Sequence, residues 1–307
     1  MALCEGCSWS IYEFIREKCS NPDALLEVWY THGLLHWQKD CERCGQPSRV
    51  DLRRKQLRCD KTVSTRKQKK QRCGWHVSLL NGSIFKRAHL DVNTLLVFVN
   101  YFIREYFTVR LIQHELGLEL KTITDWSTFC QEVMVHWALE QQGVIGGPGR
   151  IVEIIESKFW RSKYNVGRVV DGQWGYGGIC RETRNLFLVP VADRTSDALL
   201  AVIKERIAPG SIIIFDCWKI YNCLSQEEYN HLTVNQTYQF IDPDKLAELH
   251  NIERQWKEAK RKVPLCGHRK KHLVKYLARS MFLMHFEDHN IRLHHFLCAA
   301  ASVYPPV

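Results

Sequence analysis

The sequence predicts an α+β, multidomain protein, and three observations carry that prediction. A cysteine-rich, strongly basic stretch runs from 41 to 76, and a purely helical pattern fills 90–142. From residue 151, short β-branched strands first follow one another directly and then alternate with helices. With 307 residues, 45% of them apolar, the chain can build more than one core. The longest apolar run, "LLVFVNYFI" at 95–103, stops against Arg104 and Glu105. That is well short of the ~18 apolar residues of a membrane span. The start, "MALCEGCSWSIYEF", has no basic region followed by an apolar block, so no secretory signal is expected and an intracellular protein is. In a reducing compartment, the thirteen cysteines point to metal ligation or burial rather than disulfides.

Residues 1–40 read as two short helices, on Ile11, Phe14 and Ile15 and then on Leu25, Leu26, Val28 and Trp29. Cys4 and Cys7 form a CxxC with no second pair at ribbon spacing nearby, and read as chance or peripheral burial.

Residues 41–89 read as a zinc ribbon. In "CERCG", two thiols sit two residues apart before a glycine, a spacing that lets both approach one ion from a tight turn. Cys59 and Cys73 complete a tetrahedral set with Cys41 and Cys44, although fourteen residues separate them and a basic loop must bulge between. His76 is an alternative to either. Residues 49–72 hold eleven Lys/Arg against Asp51 and Asp60, a net of +9 in a chain of net +10. A second block, 254–275, has nine Lys/Arg against Glu258. A single run of this kind is as well explained by a solvated face; two, one of them inside a cysteine cluster, point to a polyanion, most simply nucleic acid.

From 90 to 142 the sequence predicts one helix over "LDVNTLLVFVNYFIREYF", a second over "VRLIQHELG" capped by Thr108 and stopped by Gly117, and a third over "DWSTFCQEVMVHWALEQ" capped by Thr122 or Thr124. This is a helix-turn-helix pattern, which any three-helix bundle shares. "GVIGGPGR" at 143–150 reads as a linker.

Residues 151–290 form the last predicted domain, followed by a tail over 291–307. Strands are expected at "IVEIIESKF", "GQWGYGGIC", "NLFLVPVAD", "SIIIFD" and "HLTVN", with helices after the third, fourth and fifth. The order βββαβαβα is that of a ribonuclease H-like mixed sheet, which gathers carboxylates from its first strand, its fourth strand and its late helix. Two-metal phosphodiester chemistry needs such a gathering of hard oxygen ligands. Asp216 ends the fourth strand. In "HNIERQWKEAK", Glu253, Trp256, Lys257 and Lys260 share one helical face, though Glu253 with Lys257 also fits an ordinary helical ion pair.

The phrases "VEIIESKF", "GQWGYGGICRETRNLFLVPVADR", "DCWKIYNCL", "HLTVN" and "HNIERQW" resemble the Merlin-type DNA transposases and the related bacterial insertion-sequence transposases with an N-terminal zinc ribbon. The resemblance runs from about Cys41 to about Lys262 and is densest over 152–256. It implies a DDE-type nuclease and strand transferase acting with magnesium or manganese on double-stranded DNA at terminal inverted repeats, with self-association on the DNA and no membrane. The expected location is the nucleus in a eukaryote, and otherwise the cytoplasm with the DNA. The resemblance matches Asp216 to the second catalytic aspartate and Glu253 to the third carboxylate, accompanied by Asn251 and Lys260. Arg66, Lys67, Lys69, Lys70, Arg72, Lys257 and Arg261 are the expected DNA contacts.

One position departs from the family. Its first strand usually reads V-E-I-D-E-S-K-F, and here Ile155 stands where the first catalytic aspartate belongs. Glu156 lies on the other face of the strand. Glu153 shares the face but is about 7 Å along it. The expectation is a transposase lineage lacking one metal ligand and weak or dead in cleavage. Its alternatives are an active enzyme in which Glu153 or a shifted register supplies the ligand, and a non-enzymatic regulatory DNA-binding protein.

Overall fold

The computed structural model describes residues 4, 7–36, 38–64, 70–88, 90–141, 143–159, 172–216, 230–234, 250–262 and 272–306. The chain divides into two compact units, residues 1–133 with 288–307, and residues 134–287. Among the described residues, no helix is long and apolar enough to cross a membrane.

The first unit opens with α1 (Ile11–Phe14), which continues as a π-helical turn over Ile15–Cys19, and α2 (Pro22–Thr31). Ser10 caps α1 through a reciprocal box with Glu13, and Pro22 starts α2 at the position where a missing N–H costs nothing. Strands β1 (Arg49–Asp51), β2 (Gln56–Arg58) and β5 (His76–Ser78) form an antiparallel sheet in the order β1-β2-β5. β3 (Thr62–Ser64) and β4 (Lys70–Arg72) pair as a separate hairpin.

Three helices follow: α3 (Val92–Ile103), α4 (Val109–Leu116) and α5 (Leu120–Glu140). Thr108 caps α4 by accepting from the Leu111 N–H, and Gly117, left-handed at φ 63°, closes it. Two expectations fail here. The first helix stops at Ile103, and Glu105 turns the chain at φ 67° before Phe107. Thr124 is not a cap: it lies inside α5, and its hydroxyl donates back to the Leu120 carbonyl at 2.8 Å, as Thr122 also lies inside.

Residues 291–307, read as a tail, contain α9 (Arg292–Val303), packed on α3 in the first unit. Its buried Arg292 donates to the Ile103 carbonyl at 3.1 Å, and the buried Arg104 donates to Asn100 and to the Trp9 carbonyl. Arg292 thus satisfies a carbonyl at the C-terminal end of α3, and Arg104 ties that same end to the N-terminal segment.

The second unit is built on one mixed sheet, in the order β12-β11-β7-β8-β9. β7 (Ile151–Phe159), β8 (Gln173–Cys180) and β9 (Leu186–Val191) form an antiparallel meander. β11 (Ile212–Asp216) and β12 (Asn230–Val234) run parallel to β7 on its other side. The short helix expected between these two strands falls outside the described residues.

The supposed linker belongs to this unit: β6 (Ile145–Gly146) pairs in parallel with β10 (Ile207–Ala208), and Gly147 donates to Ser211 at 2.9 Å. α6 (Ser196–Arg206), capped by Thr195, covers the face that carries Val152, Ile154, Tyr176, Phe187, Ile213 and Phe215. α7 (His250–Lys262) lies on β7 and β8, and α8 (Leu273–His285) lies on β9.

Candidate functional site

The four ribbon cysteines converge. Their sulfurs all lie within 4.8 Å of one another, with Cys41–Cys73 and Cys44–Cys59 each 3.5 Å apart. Four sulfurs bound at ~2.3 Å to one tetrahedral zinc stand ~3.8 Å apart, so this spacing fits the ion. The local chain explains why. The Gly45 N–H donates to the Cys41 carbonyl at 2.8 Å, and the Gly74 N–H to the Cys59 carbonyl at 3.1 Å; both glycines sit at positive φ, 66° and 64°. Each turn aims backbone N–H groups at sulfur. Arg43 joins the two turns by donating to the Cys73 carbonyl at 2.6 Å.

Burial pushes the Cys41 thiol up, but the backbone N–H groups of Arg43 and Cys44 outweigh it and bring the thiol down to about 7. At Cys44 the Gln46 N–H pulls down, while burial and the hydrogen bonds with Cys59 and Cys41 push up to about 12. His76 is exposed, with its ring on the Gly74 carbonyl, and is not one of the four.

Among the predicted DNA contacts, Lys70 and Arg72 are exposed on β4, while Arg66, Lys67 and Lys69 fall outside the described residues. On α7, Lys257, Lys260 and Arg261 are exposed, and Arg261 pairs with Glu258 at 2.7 Å.

At the carboxylate site, β7 and β11 run side by side with Ile214 opposite Glu153 and Phe215 opposite Ile154. One step further stand Ile155, half-buried and paired across to Gly177, and Asp216, the last residue of β11. The side chains of Asp216 and Asn251 are outside the described residues. Glu253 lies in the first turn of α7 and is half-buried.

Glu153 is fully buried, and both of its oxygens are engaged: Oε1 accepts from Arg181 Nε at 2.8 Å and Oε2 from the Ile252 N–H at 3.1 Å. It therefore caps the start of α7, where the helix leaves N–H groups unsatisfied and favours negative charge. Glu156 is held by Arg194 at 2.6 Å, and that guanidinium also lies 4.4 Å over the Trp174 ring.

Sequence reasoning missed Arg181 and two glycines. A Cβ on Gly175 would stand 2.7 Å from Phe159 and 2.8 Å from Trp256; one on Gly177 would stand 2.7 Å from Leu188 and 3.0 Å from Trp256. The glycines of "GQWGYGGIC" thus open a groove in β8 that seats Trp256, 3% exposed, one turn after Glu253. Their alternate spacing was the available signal, because residues two apart on a strand share a face.

Residues 168–283 match the model of the ISXO2-like transposase domain, an interval that holds Asp216 and Glu253 and begins after Ile155. Among solved structures, the chain is similar to one in the cryo-EM structure of the simian T-cell lymphotropic virus intasome in complex with PP2A regulatory subunit B56 gamma, at 14% identity and a TM-score of 0.31 over 46% of this chain. It spans about half, 51%, of that chain. A transposase-like protein of Haemophilus influenzae is 32% identical over 97 residues, which are 30% of this chain and 74% of the relative. By this relative and the domain match together, the chain belongs to the transposase-like family that carries the ISXO2-like transposase domain.

Proposed function

We propose that this chain is a DNA-binding protein of Merlin-type transposase lineage, with a ribonuclease H-like domain whose cleavage activity is impaired. The sheet order supports the fold assignment: the first strand of the meander is central, its two antiparallel partners lie on one side, and two parallel strands lie on the other. The single observation that carries the impairment is the state of β7. Ile155 has no donor atom, and Glu153, the other β7 position on that face that carries a carboxylate, already has both oxygens bonded to Arg181 and Ile252.

Paired divalent ions would activate the attacking oxygen and stabilise the leaving one. The donor set here falls one ligand short of that site, so Asp216 and Glu253 are left as a partial site. Glu153 is not a ready substitute, since recruiting it would uncap α7 and take a carboxylate oxygen from a largely buried guanidinium.

DNA binding in this proposal is electrostatic first. Lys70 and Arg72, exposed on the ribbon hairpin, and Lys257, exposed on α7, are among the described groups that can meet phosphates. The α4–α5 pair, joined by three residues, has the spacing of a groove-reading motif.

The test is nicking of duplex DNA bearing the parent element's ends, with magnesium or manganese, by the unmodified protein, Ile155→Asp, and Ile155→Asp with Asp216→Asn. Background activity in the first, nicking in the second and its loss in the third is the expected set. Robust cleavage by the unmodified protein that disappears with Asp216→Asn overturns the impairment but keeps the site. Cleavage that persists with Asp216→Asn overturns the site itself.

A further inference from the structure

The CxxC at Cys4 and Cys7, without a partner pair in its own neighbourhood, meets two histidines in the fold. His32 stands at the C-terminal cap of α2, and His294 lies in α9. One ligand atom from each of the four residues lies within 4.8 Å of all the others. Cys7 Sγ is 3.6 Å from His32 Nε2, and His32 Nε2 is 3.1 Å from His294 Nδ1. A tetrahedral zinc with bonds of ~2.3 Å to sulfur and ~2.05 Å to nitrogen sets S and N ~3.6 Å apart and two N atoms ~3.3 Å apart. The distances match those of an S2N2 site.

The outer bonds orient the same donors. His32 Nδ1 is 2.7 Å from the Val28 carbonyl, so that nitrogen carries the proton and Nε2 presents its lone pair to Cys7 and His294. His294 Nε2 is 3.6 Å from Cys298 Sγ, which gives its N–H an acceptor and turns Nδ1 inward. Cys7, His32 and His294 are buried, and Cys4 is partly so. The Cys7 N–H donates to the Cys4 carbonyl at 3.0 Å, which holds these two cysteines close together.

We propose that Cys4, Cys7, His32 and His294 form a second structural zinc site, distinct from the ribbon. Two thiolates and two imidazoles suit a borderline-soft ion with no geometric demand of its own. A metal-free account exists, in which Cys298 donates to His294 and His294 to His32 as a buried hydrogen-bond chain. That account uses Cys7 at most as a weak S–H donor to His32 and gives Cys4 no role toward either ring, whereas an ion uses all four donors at once. With the ion bound, α2 and α9 are linked through residues 262 apart in sequence, a closure that removes a large loop entropy from the unfolded chain.

Full-length protein purified without chelator is assayed for zinc as wild type, Cys7→Ser, Cys41→Ser and Cys298→Ser. The expected contents are about two ions in wild type and Cys298→Ser, and about one in each of the other two. Cobalt replacement separates the sites: Cys41→Ser keeps an S2N2 spectrum, and Cys7→Ser keeps the stronger sulfur charge-transfer bands of an S4 site. If Cys7→Ser does not fold, cobalt titration of the wild type decides by resolving two spectral components or one. A wild type with one zinc that is lost entirely in Cys41→Ser overturns the proposal, as does a Cys7→Ser protein that retains two.

Discussion

The two units of the molecule treat potential metal donors in opposite ways. In the first, eight Cys and His donors face one another in two clusters, each within 4.8 Å. In the second, β7 carries Ile155 where the proposed metal site would need a carboxylate, and its buried Glu153 is spent on a guanidinium and a helix N-terminus. A donor's availability is set by what already holds it. A buried carboxylate with both oxygens bonded is a structural part, whereas four soft donors turned toward one point could hold a cation.

The sharpest way to break this contrast is to remove a ribbon sulfur. Cys41→Ser should release the ribbon zinc and unfold residues 41–78, since such sites supply an apparent ~10–16 kcal/mol of folding energy. Hydrogen exchange that leaves β1, β2 and β5 protected in the variant would place the ribbon's stability elsewhere. Glu153→Ala comes next. It leaves Arg181, 13% exposed, without its carboxylate and should destabilise the second unit by about 3–5 kcal/mol in urea unfolding, with or without divalent ions. Stability that falls only when magnesium is present would make Glu153 a ligand after all.

Gly177→Ala is a smaller disturbance. Its Cβ must displace Leu188 or Trp256, at a cost of about 1–3 kcal/mol and with an altered Trp256 environment, readable by near-ultraviolet circular dichroism. An unchanged spectrum would detach the groove from the placement of α7. The mildest test replaces Lys70 and Arg72 by Ala: DNA affinity should lose about one unit of salt slope per lost phosphate contact, with folding unchanged. A slope that does not move takes the β4 hairpin out of the interface.

What was legible in the sequence was local. Cys41 and Cys44 before Gly45, and Cys73 before Gly74, are each carried by a turn with its own glycine, while Cys59 joins them through the Gly74 N–H on its carbonyl. The sheet strands were legible because β-branched runs such as "SIIIFD" admit few other structures; the observed β11 is Ile212–Asp216. His294 was not legible as a partner of Cys7, because only tertiary packing brings α9 back to the N-terminus. For the same reason "FLCAAASV" read as a tail: its helix lacks a side-chain cap and is fixed by buried contacts of Arg292 and Leu293. The linker reading failed on a different ground. Two residues of parallel pairing at β6, among glycines, leave no hydrophobic period to detect.

The seating of Trp256 has a mechanical consequence. α7 is fastened at two points four residues apart, by the Ile252 N–H on Glu153 and by the indole in the Gly175–Gly177 groove, ~6 Å apart along its axis. A rod fastened twice in that way can neither slide nor spin, so the angular phase of the whole helix is fixed by the sheet. Glu253, lying between the two fastenings, has its backbone direction fixed by the fold alone, before any ion or nucleic acid arrives. On the proposed reading, the absence of a ligand at position 155 leaves the geometry around Glu253 intact, as a jig that keeps its shape after one of its pins has been removed.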